Sequence, residues 1–225
     1  MKIVHPCFEQ HIVIGKGVIN LLIIEDQNMF YMLTDELVRQ CHGENGSFIL
    51  SNDSQSLPMK SNIEVIIDPF NIDYNQRHLL NSIRTKLIET AVGEELYSLT
   101  KALISKIESY LIELTEHFNL PIASLEVSEF NVETIIKNAG ISIGMEYNTL
   151  SEKLIDYMTL VRELLGINIF ALVNMKTFMD KLELAELYEM SIYRELHIVL
   201  LENLERSEKH EAERQILIDT DFCEI

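Results

Sequence analysis

In the first 67 residues the apolar positions come in short runs bounded by polar turns. Leu21-Leu22-Ile23-Ile24 is the densest of them. The β-like residues before it predict a hairpin that turns at Gly15-Lys16-Gly17 and leads into this buried strand. Then the period changes. Met29, Phe30, Leu33, Leu37 and Val38 mark one face of a helix over 28–41, which His42-Gly43 ends. Two further β-like pieces, 48–50 and 63–67, flank a polar stretch that contains Pro58, so the opening third reads β-β-α-β-β.

At Asp68-Pro69 the pattern becomes helical and stays so over 76–118, with one soft spot at Gly93. Leu79, Ile83, Leu87 and Ala91 step by four. From Leu96 through Leu99, Leu103, Ile107, Tyr110 and Leu114 the steps are three and four, close to a heptad, which predicts helices packed on each other or on a partner subunit. Asn119-Leu120-Pro121 stops the run, and a further helix ends near Gly140. From residue 151 alternation returns: helix 154–165, strand 167–173, helix 181–193, strand 197–201 and a last short strand 215–218. Strand, helix, strand at this spacing predicts a right-handed parallel crossover. The expected architecture is α/β, a discontinuous domain made of residues 1–67 and 146–225, interrupted by a helical insertion over 68–145.

Composition narrows the function. The 225 residues carry 36 Asp and Glu against 18 Lys and Arg, a net charge of -18 that favours solubility and speaks against an anionic partner. No apolar run approaches the roughly 18 residues of a membrane span, and residues 1–10 lack the order of a signal peptide, so the cytoplasm is the expected location. Cys7, Cys41 and Cys223 lie far apart and read as free thiols; no His-x-x-x-His pair suggests a catalytic metal.

The turn after the central run, Glu25-Asp26-Gln27-Asn28, sits where a nucleotide-binding protein carries its phosphate loop. It offers no glycine to close round a phosphate and no lysine to meet one, and its two carboxylates would repel it. The turns after the later strands, Asn174-Met175-Lys176-Thr177 and Glu202-Asn203, show no nucleophile arrangement, which makes an enzyme the weaker class. A nucleotide hydrolase built unconventionally from Glu25, Asp26 and Glu202 is one rival; an acidic protein-interaction scaffold is another. Glu126, Glu129 and Glu133, three and four apart at a helix start, are either a hard-cation site of calcium type or solvated acids that favour the helix N-terminus. The insertion holds Arg77, Arg84, Lys86, Lys101, Lys106 and Lys137, a third of the bases. A monomer of this charge should bind DNA poorly. A symmetric oligomer that turns these bases toward a common channel could bind it.

Several short stretches carry a resemblance: Ile24-Glu25-Asp26, then Ile67-Asp68-Pro69-Phe70-Asn71-Ile72-Asp73, Leu172-Val173-Asn174, His197-Ile198-Val199-Leu200-Leu201-Glu202 and the ending Gln215-Ile216-Leu217-Ile218-Asp219-Thr220-Asp221-Phe222. In this order they resemble the Csn-two family of CRISPR-associated proteins from type II-A systems. The resemblance implies a head like that of P-loop ATPases with the phosphate loop lost, and a helical leg. It further implies a ring-shaped homotetramer that binds double-stranded DNA ends through its hole and serves spacer acquisition beside the integrase complex and the RNA-guided effector nuclease, without enzymatic activity or nucleotide. The family also binds calcium through acids near the junction of leg and head. Here several of those acidic positions become Ser124, Ser128 and Thr134, leaving Glu126, Glu129 and Glu133 nearby.

Overall fold

Two apolar runs that adjoin in the sequence go to different sheets. In the computed structural model, which describes residues 1–52, 55–118, 125–206 and 209–225, strand β1 (Lys2–Val4) pairs antiparallel with β2 (Ile12–Val13), whereas β3 (Ile19–Ile24) pairs with neither. Gly15-Lys16-Gly17 therefore is not a hairpin turn. It is the passage from one sheet to another, with Gly17 at φ 72° in the left-handed region. All six side chains of β3 are buried. A strand buried on both faces belongs inside a parallel sheet, and this one is flanked on both sides by other strands.

The antiparallel sheet has the order β2-β1-β4-β5, with β4 (Ile49–Asn52) and β5 (Gln55–Leu57) continuing from β1. The parallel sheet has the order β6-β7-β8-β3-β9, from β6 (Ile63–Ile66), β7 (Ile169–Val173), β8 (His197–Glu202) and β9 (Glu213–Ile218). β3 thus has as neighbours two strands from the far end of the chain: Leu22 pairs with Leu201 on one side and Ile216 on the other. The crossover from β7 through α6 (Lys181–Tyr193) to β8 is parallel between adjacent strands, as its spacing predicts.

One face of the parallel sheet packs under α1 (Gln27–His42) and the antiparallel sheet. Leu22, Ile24, Ala171, Val173, Leu201 and Ile216 point there, against Met29, Leu33 and Leu37 of α1. The alternate residues, such as Phe170, Leu172, Ile198 and Leu200, are equally buried on the opposite face, where α5 (Leu150–Leu165) packs with α6. The polar stretch around residues 51–62 conceals β5 and a 3-10 turn, Met59–Ser61; the last strand begins two residues before its apolar run does.

The chain divides into two compact units: residues 1–73 with 145–225, and 74–144. The second contains α2 (Arg77–Val92), α3 (Tyr97–His117) and α4 (Val132–Asn138), with α2 touching both of the others. Its two ends are clasped together. The Asn75 side chain accepts the Ile143 N–H at 2.7 Å and donates to the Ile143 carbonyl at 3.2 Å. α3 buries none of its residues. The stop at Asn119-Leu120-Pro121 and the departure at Ser124 lie outside the described residues, as do 53–54 and 207–208.

Candidate functional site

The turn between β3 and α1 uses its polar groups on itself. Asp26 is the N-cap of α1: its carboxylate accepts the Met29 N–H at 2.8 Å, and its carbonyl accepts Phe30 N–H at 2.9 Å. The Glu25 N–H donates to the Ile218 carbonyl at 3.0 Å. A carboxylate that holds the helix's own N–H groups occupies the place a phosphate would take.

The neighbouring strand ends are equally self-contained. Asn174, at φ 55°, donates its N–H to the Leu201 carbonyl at 2.8 Å and accepts the Asn203 N–H on its side-chain oxygen at 3.2 Å. Glu202 is 2% exposed, and its carboxylate accepts the Lys176 N–H at 3.0 Å. Burial raises its pKa above the usual carboxylate value, against the pull of Lys176 and Arg206. Glu202 alternates with Leu201 and so lies on the α6 side of the sheet, while Asp26 caps a helix on the other side. Glu25, Asp26 and Glu202 therefore do not assemble into one hydrolytic site.

Beneath α6 lies a polar network that no sequence motif announces. The Lys176 ammonium pairs with Glu213 at 2.5 Å, and the Tyr188 hydroxyl donates to the same carboxylate at 2.6 Å. Burial first, and Glu213 second, push the Tyr188 hydroxyl's pKa far up, so that it remains a donor. The sequence pattern begins the last strand at Gln215 and leaves Glu213 in a loop. Only the pairing of Ile19 with Glu213 in the sheet brings it under the helix.

The six bases of the insertion fall on its three helices: Arg77, Arg84 and Lys86 on α2, Lys101 and Lys106 on α3, Lys137 in the last turn of α4. Five of them are exposed. Arg84 is half-buried; it donates to the Asn81 side chain at 3.3 Å, and its Nε is buried with no hydrogen-bond acceptor among the described residues. At about 100° per residue Arg77 and Arg84 share a face of α2, and Lys86 stands on the opposite one. Glu126 and Glu129 lie in a non-helical segment, because Asn131 caps α4 by accepting the Thr134 N–H at 2.9 Å and the helix starts only after it. Glu133 alone is helical. The shared face that the spacing of the three acids suggests is not formed, and no group of three acidic, His or Cys side chains suited to a metal occurs among the described residues.

Comparison with known proteins gives a family and a fold. The sequence model of the family described as CRISPR-associated protein (Cas_Csn2) matches residues 40–222. The chain is similar in structure to Stu0660 of Streptococcus thermophilus, with a TM-score of 0.60 at 12% identity, covering 97% of this chain and 75% of that one. A putative ABC transporter ATP-binding protein from Pyrococcus furiosus aligns at a TM-score of 0.41 and 12% identity, over 96% of this chain and 97% of that one. No relative among curated proteins matches.

Proposed function

The chain belongs to the Cas_Csn2 family of CRISPR-associated proteins, and from that membership we propose that it is a non-enzymatic, ring-forming homotetramer that binds double-stranded DNA ends during spacer acquisition, beside the integrase complex and the RNA-guided effector nuclease. The family match carries this reading, since it runs through both units. Two properties of the insertion support it. Leu99, Leu103, Tyr110 and Leu114 recur along α3 at steps of four and seven and are all exposed, an apolar stripe suited to burial against another copy. Arg77, Lys101, Lys106 and Lys137 are exposed there and suited to phosphate contacts, which carry affinity without reading sequence.

The head, in this reading, is a P-loop ATPase fold that has given up its phosphate loop. Its strand β3 runs straight into α1, and the turn between them is filled by the cap at Asp26. Calcium has no assigned part in it.

A gel shift of linear against covalently closed circular duplex of equal length and sequence, at low salt, tests the proposal. A ring loaded over an end shifts only the linear form, with calcium or with chelator. Equal shifts of both forms would remove the threading, and no shift of either would put the acidic scaffold in its place.

A further inference from the structure

The outer edge of β9 is closed by the chain itself. β9 ends the parallel sheet, with β3 on one side of it. On that side the Ile218 carbonyl takes the Glu25 N–H at 3.0 Å, so the backbone groups of Leu217, its neighbour in the strand, point the other way. There residues 219–225 turn back and run antiparallel to β9. The Leu217 carbonyl accepts the Ile225 N–H at 2.8 Å, the Leu217 N–H donates to the Ile225 carbonyl at 3.2 Å, and Ile218 bridges to Glu224.

What holds this segment is polar. None of its seven side chains is buried, and Phe222 and Ile225 are 65% and 74% exposed. Asp219 builds the turn, its carboxylate accepting the Asp221 N–H at 2.9 Å and the Cys223 N–H at 2.8 Å. The same turn sets Phe222 at φ 61°, a left-handed conformation that costs energy in any residue but glycine. The Glu224 carboxylate reaches the other sheet, where it accepts the Glu9 N–H at 2.5 Å and the Gln10 N–H at 2.8 Å in the loop between β1 and β2. Among the described residues, these two charge-assisted bonds and the two backbone bonds at Leu217 are the hydrogen bonds that tie the segment to the rest of the chain. The segment also guards the edge by its charge. An open strand edge pairs readily with another chain, and acids laid along it oppose that. Asp219, Asp221 and Glu224 lie on the covering segment with no base among them, and a second copy would bring a net charge of -18 to meet them. Beneath lies the uncharged part of β9, Gln215-Ile216-Leu217-Ile218. The antiparallel direction that the segment takes on β9 is also the one in which a second β9 arrives across a two-fold axis.

We propose that residues 219–225 are a displaceable guard latched by Glu224, and that the edge beneath accepts β9 of a second copy once the latch opens, joining two parallel sheets into one. This contact is distinct from the α3 stripe and owes nothing to the DNA-end reading, whose bases all lie in the other unit.

Amide hydrogen exchange of the native full chain and of Glu224→Ala, each at low and high protein concentration with the mass read by light scattering, tests it. In the native chain the Leu217 and Ile225 amides are expected to exchange slowly together. In Glu224→Ala both should exchange about tenfold or more faster at low concentration. At high concentration Leu217 alone should regain its protection, as the mass doubles relative to the native chain and Ile225 stays fast. Ile225→Pro removes the N–H that Leu217 accepts without touching the latch, so it opens the same edge if Glu224→Ala lowers the unfolding midpoint, and it should show the same return of protection at Leu217. Exchange at Leu217 that neither substitution changes overturns the proposal. So does a Leu217 amide that stays fast at high concentration with the mass unchanged, since the open edge then takes no second copy. A native chain that runs as a monomer would sink only the ring proposed above, because the doubling is measured against the native mass, whatever its value.

Discussion

Gln40 does for Phe48 what a neighbouring strand would do. Its side-chain oxygen accepts the Phe48 N–H at 2.9 Å and its amide donates to the Phe48 carbonyl at 3.1 Å, both buried. Gly46 makes this possible, since a Cβ there would stand 2.5 Å from Gln40 Cδ. Gly46→Ala should displace the amide, strand two buried backbone groups and cost about 2 kcal/mol, read as a lowered urea midpoint. Gln40→Ala should cost a similar amount, and the double variant little more, because both changes remove the same pair of bonds. The sequence shows Gln40 only as a polar residue near a helix end. Its partner is eight residues away through a turn with no periodic signal, and the same blindness hides Lys176 and Glu213, whose encounter depends on the register of a sheet. The capping aspartate, by contrast, is legible at once, as Asp26 stands directly before a helical face.

Helices α1 and α6 begin and end within a residue of the positions their apolar periods predict, but α5 starts earlier than its apolar face, at Leu150. A reciprocal cap explains the difference: the Thr149 hydroxyl accepts the Glu152 N–H at 3.2 Å, and the Glu152 carboxylate accepts the N–H groups of Asn148 at 2.6 Å and Thr149 at 3.3 Å. The Asn148 N–H, more than the others, holds the Glu152 carboxyl below its ordinary 4.5. A carboxyl depressed in the folded state contributes stability that is present above 4.5 and is lost as pH falls through the folded value. The stability difference between the native chain and Glu152→Gln should therefore shrink on acidification from pH 4.5, as denaturant midpoints at several pH values would show. Where apolar period and cap coincide the sequence reveals an element; where polar groups extend it, as in β5 or the first residues of β9, period is silent.

The charge of the whole molecule constrains how DNA can be held. At -18 the surface repels a duplex on average, so any binding must come from a few local bases and must fade with salt. Replacing Lys101 and Lys106 of α3 by Gln should reduce the slope of log affinity against log salt by about 2 if both meet phosphates; an unchanged slope in a titration series would remove them from the contact. The α/β class, the helical insertion and the parallel crossover were readable because each rests on local period. The assignment of the first strands to two sheets was not, because nothing local distinguishes a hairpin from a passage between layers. That division bears on synthesis. Strand β3 emerges from the ribosome long before either of its partners, β8 and β9, because the helical unit and most of the sheet lie between them in the sequence. The residues 74–144 form a separate compact unit made of one continuous stretch of chain. β3, apolar at five of its six positions, therefore has to wait unpaired until β8 and β9 are made, an exposed strand edge of the kind that invites misassembly.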